Sequence, residues 1–78
     1  MKRFEALESV FKNAPNRDNA KHVSLLKILI GVEFYKEFDK MGFFSSEYIL
    51  GDRYVWLSYL GTEFCKEMFV NRKPIRPV

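Results

Sequence analysis

The apolar positions of this chain follow a helical period through its first half and a strand-like one after it. Phe4, Leu7, Val10 and Phe11 recur on one face and predict a first helix over 2–12. Asn13-Ala14-Pro15-Asn16 ends it, because proline cannot continue a helix and disfavours helical geometry in the residue before it. Asn16 and Asp18 both suit the cap of a second helix, whose apolar face is Val23, Leu26, Leu29 and Ile30. His22 and Lys27 fall off that face, and Gly31 is its natural break. Residues 32–41 predict a third helix, with Phe34, Tyr35, Phe38 and Met41 on one side and Glu33, Lys36, Glu37 and Lys40 on the other. Gly42 stands where a left-handed residue closes a helix, and Phe43 is placed to fold back onto the last turn.

The period then shortens to two. Glu47–Leu50 and Arg53–Leu57 are aromatic and β-branched runs, and Gly51-Asp52 between them predicts a β-hairpin turning there. Tyr54 and Trp56 share one face of the second strand, Val55 and Leu57 the other, and alternation alone does not say which pair faces the core. Trp56 is read here as packing beneath the hairpin. Ser58 caps a fourth helix over 59–70, whose core face is Leu60, Phe64 and Met68 with Cys65 and Phe69 beside them. Asn71 stops it, and Pro74 and Pro77 keep 71–78 extended. A lone hairpin is unstable in water, so it must pack on the helices. Three helices, a hairpin wing near 47–57 and a closing helix make an α+β winged helix-turn-helix layout, one domain over 1–70 with a basic tail at 71–78.

Composition narrows the chemistry. At 78 residues, 47% hydrophobic and 17% aromatic, the chain has one core and is no disordered segment. Its net charge of +3 is uneven: residues 31–70 hold four basic and seven acidic side chains, and the tail adds Arg72, Lys73 and Arg76. No apolar run reaches membrane-spanning length, and the opening Met1-Lys2-Arg3-Phe4-Glu5 carries no secretory pattern, so the expectation is a cytoplasmic protein with no membrane contact. One cysteine rules out an internal disulfide, and one cysteine with one histidine rules out an ordinary zinc site. Cys65 lies on an apolar helix face, where an inert buried thiol is expected, and His22 reads as a solvent-facing helix residue rather than its base. The pairs Glu33–Glu37 and Glu63–Glu67 are helical neighbours on solvated faces, and the chain has no glycine-rich phosphate loop. No enzyme, cofactor or metal is therefore expected.

Three segments in order resemble MarR-type winged-helix regulators. Phe38-Asp39-Lys40-Met41-Gly42-Phe43-Phe44 is similar to the end of that family's third helix, Gly51-Asp52-Arg53 to its wing tip, and Trp56-Leu57-Ser58-Tyr59-Leu60-Gly61 to the entry of its next helix, where Phe64 and Cys65 match a pair of apolar positions. The likeness covers about residues 34–69. Gly61, in a first helical turn, costs about 1 kcal/mol against alanine, which a close backbone approach to the sheet would justify.

The resemblance implies a small double-stranded DNA-binding regulator or accessory factor, of a size that suits a phage or mobile element. Lys36 and Lys40 would lie near the major groove, and Arg53, with Tyr54 in place of a second wing arginine, at the flanking backbone or minor groove. Lys21 and Lys27 of the second helix and Arg72, Lys73 and Arg76 of the tail would add phosphate contacts. The chain departs from the family at three places. Only Gly31 and its neighbours separate helices two and three, Gly31-Val32-Glu33 stand where the family carries base-reading polar residues, and Glu33, Glu37 and Asp39 accompany the two lysines. The alternative is a winged-helix module for protein contact or dimerisation that binds no nucleic acid, with Phe4, Phe11, Tyr48, Tyr54, Tyr59 and Phe69 as candidate anchors; a DNA-binding homodimer paired through helices one and four would satisfy both readings. Tyr48, Tyr54 and Trp56 on the hairpin also have the character of a base-stacking surface for RNA.

Overall fold

A computed structural model describes residues 1–71. Helix α1 (Arg3–Asn13) is followed by a 3-10 turn (Arg17–Asn19), strand β1 (Lys21–His22), α2 (Val23–Ile30), α3 (Val32–Lys40), strands β2 (Phe44–Ile49) and β3 (Asp52–Leu57), and α4 (Tyr59–Cys65), which continues as a π-type turn over Lys66–Val70. The antiparallel sheet has the order β1-β3-β2. Four helices with this sheet form an α+β fold compatible with the winged helix-turn-helix layout. No helix among the described residues is long and apolar enough to cross a membrane.

Local signals account for most boundaries. At the end of α3, Gly42 takes φ +80 and the Phe43 amide donates to the Phe38 carbonyl at 3.0 Å, closing the helix as its sequence requires. The Phe43 ring stacks on Phe38 at 6.2 Å. Ser58 Oγ accepts from the Gly61 amide at 3.1 Å and donates to the Gly42 carbonyl at 2.7 Å, so one hydroxyl caps α4 and ties it to the α3–β2 corner. Gly61 is buried because a Cβ there would stand 2.5 Å from the Phe43 carbonyl oxygen. The close approach that justifies this glycine is thus present.

Other expectations are corrected. Asn16 caps the short 3-10 turn, with its side chain accepting from the Asn19 amide, and the second helix does not start there or at Asp18. It starts at Val23, capped by His22, because residues 21–22 pair with Val55 and Tyr54 as an edge strand. The hairpin turns at Leu50-Gly51, one residue earlier than Gly51-Asp52: Ile49 pairs with Asp52, and Leu50 and Gly51 carry φ +52 and +86, the signs a two-residue hairpin turn requires. Strand β2 begins at Phe44, three residues before the expected run.

The core is Ala6, Leu7 and Val10 of α1, Leu26 and Ile30 of α2, Tyr35 and Phe38 of α3, Phe43, Val55 and Leu57 of the corner and sheet, and Cys65 of α4. Val55 and Leu57 are the inward pair of β3, and Trp56 lies half-buried on the opposite face with Tyr54. Several expected core positions lie at the rim instead. Phe4, Leu29, Met41, Leu60 and Phe64 are exposed, because the buried stripe of each helix is narrower than its apolar composition suggests. Phe11 and Phe69 stack at 6.1 Å, joining α1 to the π-type turn that follows α4.

Candidate functional site

The basic side chains read as nucleic-acid contacts are spread over α2, α3, β1 and β3. Lys36 and Lys40 are exposed on α3, with Glu33 exposed beside them. Lys27 extends over the Tyr35 ring, 5.2 Å from its centre, and is half-buried. Lys21, on β1, donates to the Asn19 carbonyl at 3.3 Å. Arg53 reaches toward Asp39 of α3 at 4.0 Å. Tyr54 projects from the other face of β3 and meets the His22 ring edge-on at 5.5 Å. Arg72, Lys73 and Arg76 lie outside the described residues.

The arginines lie beside carboxylates. Among the described residues, Arg3 forks onto Glu37, Arg17 forks onto Glu47 through two bonds of 2.9 and 2.7 Å, and Arg53 comes within 4.0 Å of Asp39 with no hydrogen bond. These pairs hold α1 to α3, the 3-10 turn to β2, and β3 to α3. The Arg3 guanidinium holds the Glu37 carboxyl below its ordinary range by a hydrogen bond, and the carboxylate raises Arg3 in return.

Cys65 and His22 each have a place in the fold. Cys65 is fully buried, and loss of water pushes its thiol up to about 11. His22 Nδ1 accepts from the Ser24 amide at 3.2 Å, which leaves Nε2 as the donor to Asp52 at 3.2 Å. The Tyr35 hydroxyl, buried beneath the sheet against Phe44, has no partner among the described residues.

A different surface stands out. Leu25, Ile28 and Leu29 recur at i, i+3 and i+4 along α2 and all three are exposed, Ile28 at 80% and Leu25 at 56%; Val32, exposed too, opens α3 beyond the break at Gly31. Leu25, Ile28 and Leu29 border a shallow groove of about 250 Å³ lined also by Asn13, Lys21 and Leu26. Helix α2 is apolar nearly all round, with Leu26 and Ile30 turned inward and this second stripe turned out. The sequence reading placed Leu29 in the core and missed the outer stripe. The signal was present as a Leu-Leu-Lys-Ile-Leu-Ile run too rich for one buried face.

The aromatic anchors divide. Phe4, Tyr48 and Tyr59 are exposed, while Phe11, Tyr54 and Phe69 are half-buried in contacts within the chain. Phe4 lines a second depression with Glu67, Met68 and Phe69. No family model, curated protein or solved structure matches this chain.

Proposed function

We propose that this chain is a protein-docking module on a winged-helix-type scaffold, with the outer face of α2 as its contact surface. The observation that carries the reading is the uncovered aliphatic stripe Leu25, Ile28 and Leu29 over its groove. Apolar side chains recurring on one helix face, exposed and rimmed by polar residues, are what a partner surface covers. A scaffold of this class hosts many activities, so the surface decides and the fold does not.

Nucleic-acid binding draws its affinity from cations free to meet phosphate. In the described residues the arginines face carboxylates, and the two exposed lysines of α3 share their face with Glu33. Val32 is exposed at the α2–α3 junction, where a DNA-binding helix pair would present polar groups to the backbone.

A photo-crosslinking residue at position 28, with a second chain carrying it at position 40, tests the reading in the source cell. The expected result is a protease-sensitive adduct from position 28 and none from position 40. A nuclease-sensitive adduct from position 40, or no protein adduct from position 28, overturns it in favour of DNA binding or of neither.

A further inference from the structure

We propose that two copies of this chain pair antiparallel through the outer edge of β2, joining their sheets into one. This edge is separate from the α2 face, and its pairing does not depend on the docking reading above.

Among the described residues, the order β1-β3-β2 leaves β2 with one open side. Ile49 stands opposite Asp52 across a two-residue turn, which fixes the direction of every main-chain group along the strand. Ser45, Glu47 and Ile49 exchange bonds with β3, so the N–H and C=O groups of Phe44, Ser46 and Tyr48 point outward. None of these outward groups has a hydrogen-bond partner among the described residues. Ser46 shares a sheet face with the fully buried Val55 yet is exposed, so no described helix covers the middle of the edge.

Open edges are ordinarily blunted by shortness, proline, lysine or a bulge. The opposite edge, β1, is two residues long. By contrast β2 runs six residues in unbroken register with β3, and Phe44-Ser45-Ser46-Glu47-Tyr48-Ile49 contains neither proline nor lysine.

The side chains of this strand suit a copy of itself. A two-fold axis at Ser46 sets Ser46 opposite its own copy and Phe44 opposite the partner's Tyr48. Each facing pair exchanges two main-chain bonds, which satisfies every outward group. Tyr48 is 71% exposed, and Phe44 stacks on Tyr35 at 5.2 Å, so each Tyr48 extends an aromatic stack that the other copy already holds. Glu47, the one charged residue of the strand, is held by Arg17 and faces the partner's Ser45. In-register parallel pairing would instead oppose the two Glu47 side chains. Exposed apolar side chains stand at both ends of the strand, Ile49 at one and Met41 and Leu60 beside Gly42 at the other, and the two-fold axis brings the unlike ends together. A seam of one short strand is small, so the dimer should dissociate in roughly the micromolar range or above.

Sedimentation velocity of the intact chain across that range, with amide hydrogen exchange read residue by residue, supplies the test. The wild type is expected to shift from monomer to dimer with concentration. The amides of Phe44, Ser46 and Tyr48 should gain protection as it does, while those of Ser45, Glu47 and Ile49 are protected throughout. Ser46→Lys and Ser46→Glu, at a side chain already facing water, should keep the circular dichroism of the wild type. Each should weaken pairing roughly five- to tenfold at low salt, because identical charges then face each other across the axis. An equimolar mixture of the two should recover the dimer, since each axis then joins opposite charges. Ile28→Glu should leave the dimer unchanged. A monomer throughout, a dimer in which the alternate amides of β2 gain no protection, or a mixture that fails to recover overturns the proposal. A dimer lost in Ile28→Glu but kept in both Ser46 variants also overturns it and assigns the contact to α2.

Discussion

Single residues in this chain are placed by what their backbone or side chain must avoid. Gly61 shows it most sharply. Its position in the first turn of α4 is unfavourable for a helix, yet a methyl group there would press on the Phe43 carbonyl at 2.5 Å and on a Leu57 methyl carbon at 2.9 Å. The gain in helix propensity from Gly61→Ala is about 1 kcal/mol, and the overlap with a fixed backbone oxygen outweighs it by about 1–3 kcal/mol. The expected outcome is a lower denaturation midpoint in urea with an unchanged slope. A midpoint at or above wild type would mean that α4 can slide away from the sheet corner. The corner resists sliding because the Ser58 hydroxyl holds both sides of it, accepting from α4 and donating to the Gly42 carbonyl.

Among the elements, the β2–β3 hairpin carries a residue that its turn does not favour. Leu50 is fully exposed at φ +52, a conformation that costs an ordinary side chain roughly 1–2 kcal/mol. Leu50→Asn should relieve much of this, because asparagine tolerates the left-handed region and no buried contact is lost. A thermal midpoint several degrees above wild type is the expected reading, about 4–8 °C per kcal/mol for a domain of this size. A lower midpoint would show that the leucine makes a stabilising contact. The neighbouring Tyr48 and Ile49 are exposed as well, so the tip of the hairpin is apolar where a phosphate-facing wing would be cationic. Arg53 lies three residues past Leu50 and turns toward Asp39.

For the whole molecule, stability depends on keeping the core dry around one thiol. Burial raises Cys65 from 9.0 to about 11, so the folded state prefers the neutral thiol more strongly than the unfolded chain does. For such a group the stabilisation is complete below the unfolded value and is lost as pH rises toward the folded one, which places the loss between about pH 9 and 11. Denaturant titrations across that window should show stability falling more steeply for wild type than for Cys65→Ala, whose absolute stability is lower because of the missing sulfur. Equal slopes would mean that water reaches the thiol in the native state. The same burial predicts that a thiol reagent at neutral pH reacts only after denaturant is added. The Arg3–Glu37 pair acts at the opposite end of the scale: the depressed carboxyl stabilises the fold above the ordinary carboxylate range and ceases to do so as acid protonates it.

The sequence by itself determined what depends on near neighbours: the stop at Pro15, the break at Gly31, the close of α3 at Gly42 and Phe43, the cap at Ser58, and the change from helical to strand period that makes the fold α+β. Such features turn on backbone freedom and hydrogen bonds a few residues apart, so residue type and spacing reveal them. Only the tertiary structure decided the rest. The two residues of β1 become a strand by pairing with β3 some thirty positions away, and that pairing moves the start of α2 from Asn16 to His22. The inward pair of β3 was fixed by which side the helices cover. The carboxylates that meet Arg3 and Arg17 come from more than two dozen residues away. The outer face of α2 was hidden in the sequence for the same reason: a helix apolar on nearly every side has no preferred inward face until its neighbours pack, and what they leave bare is the surface proposed for the partner.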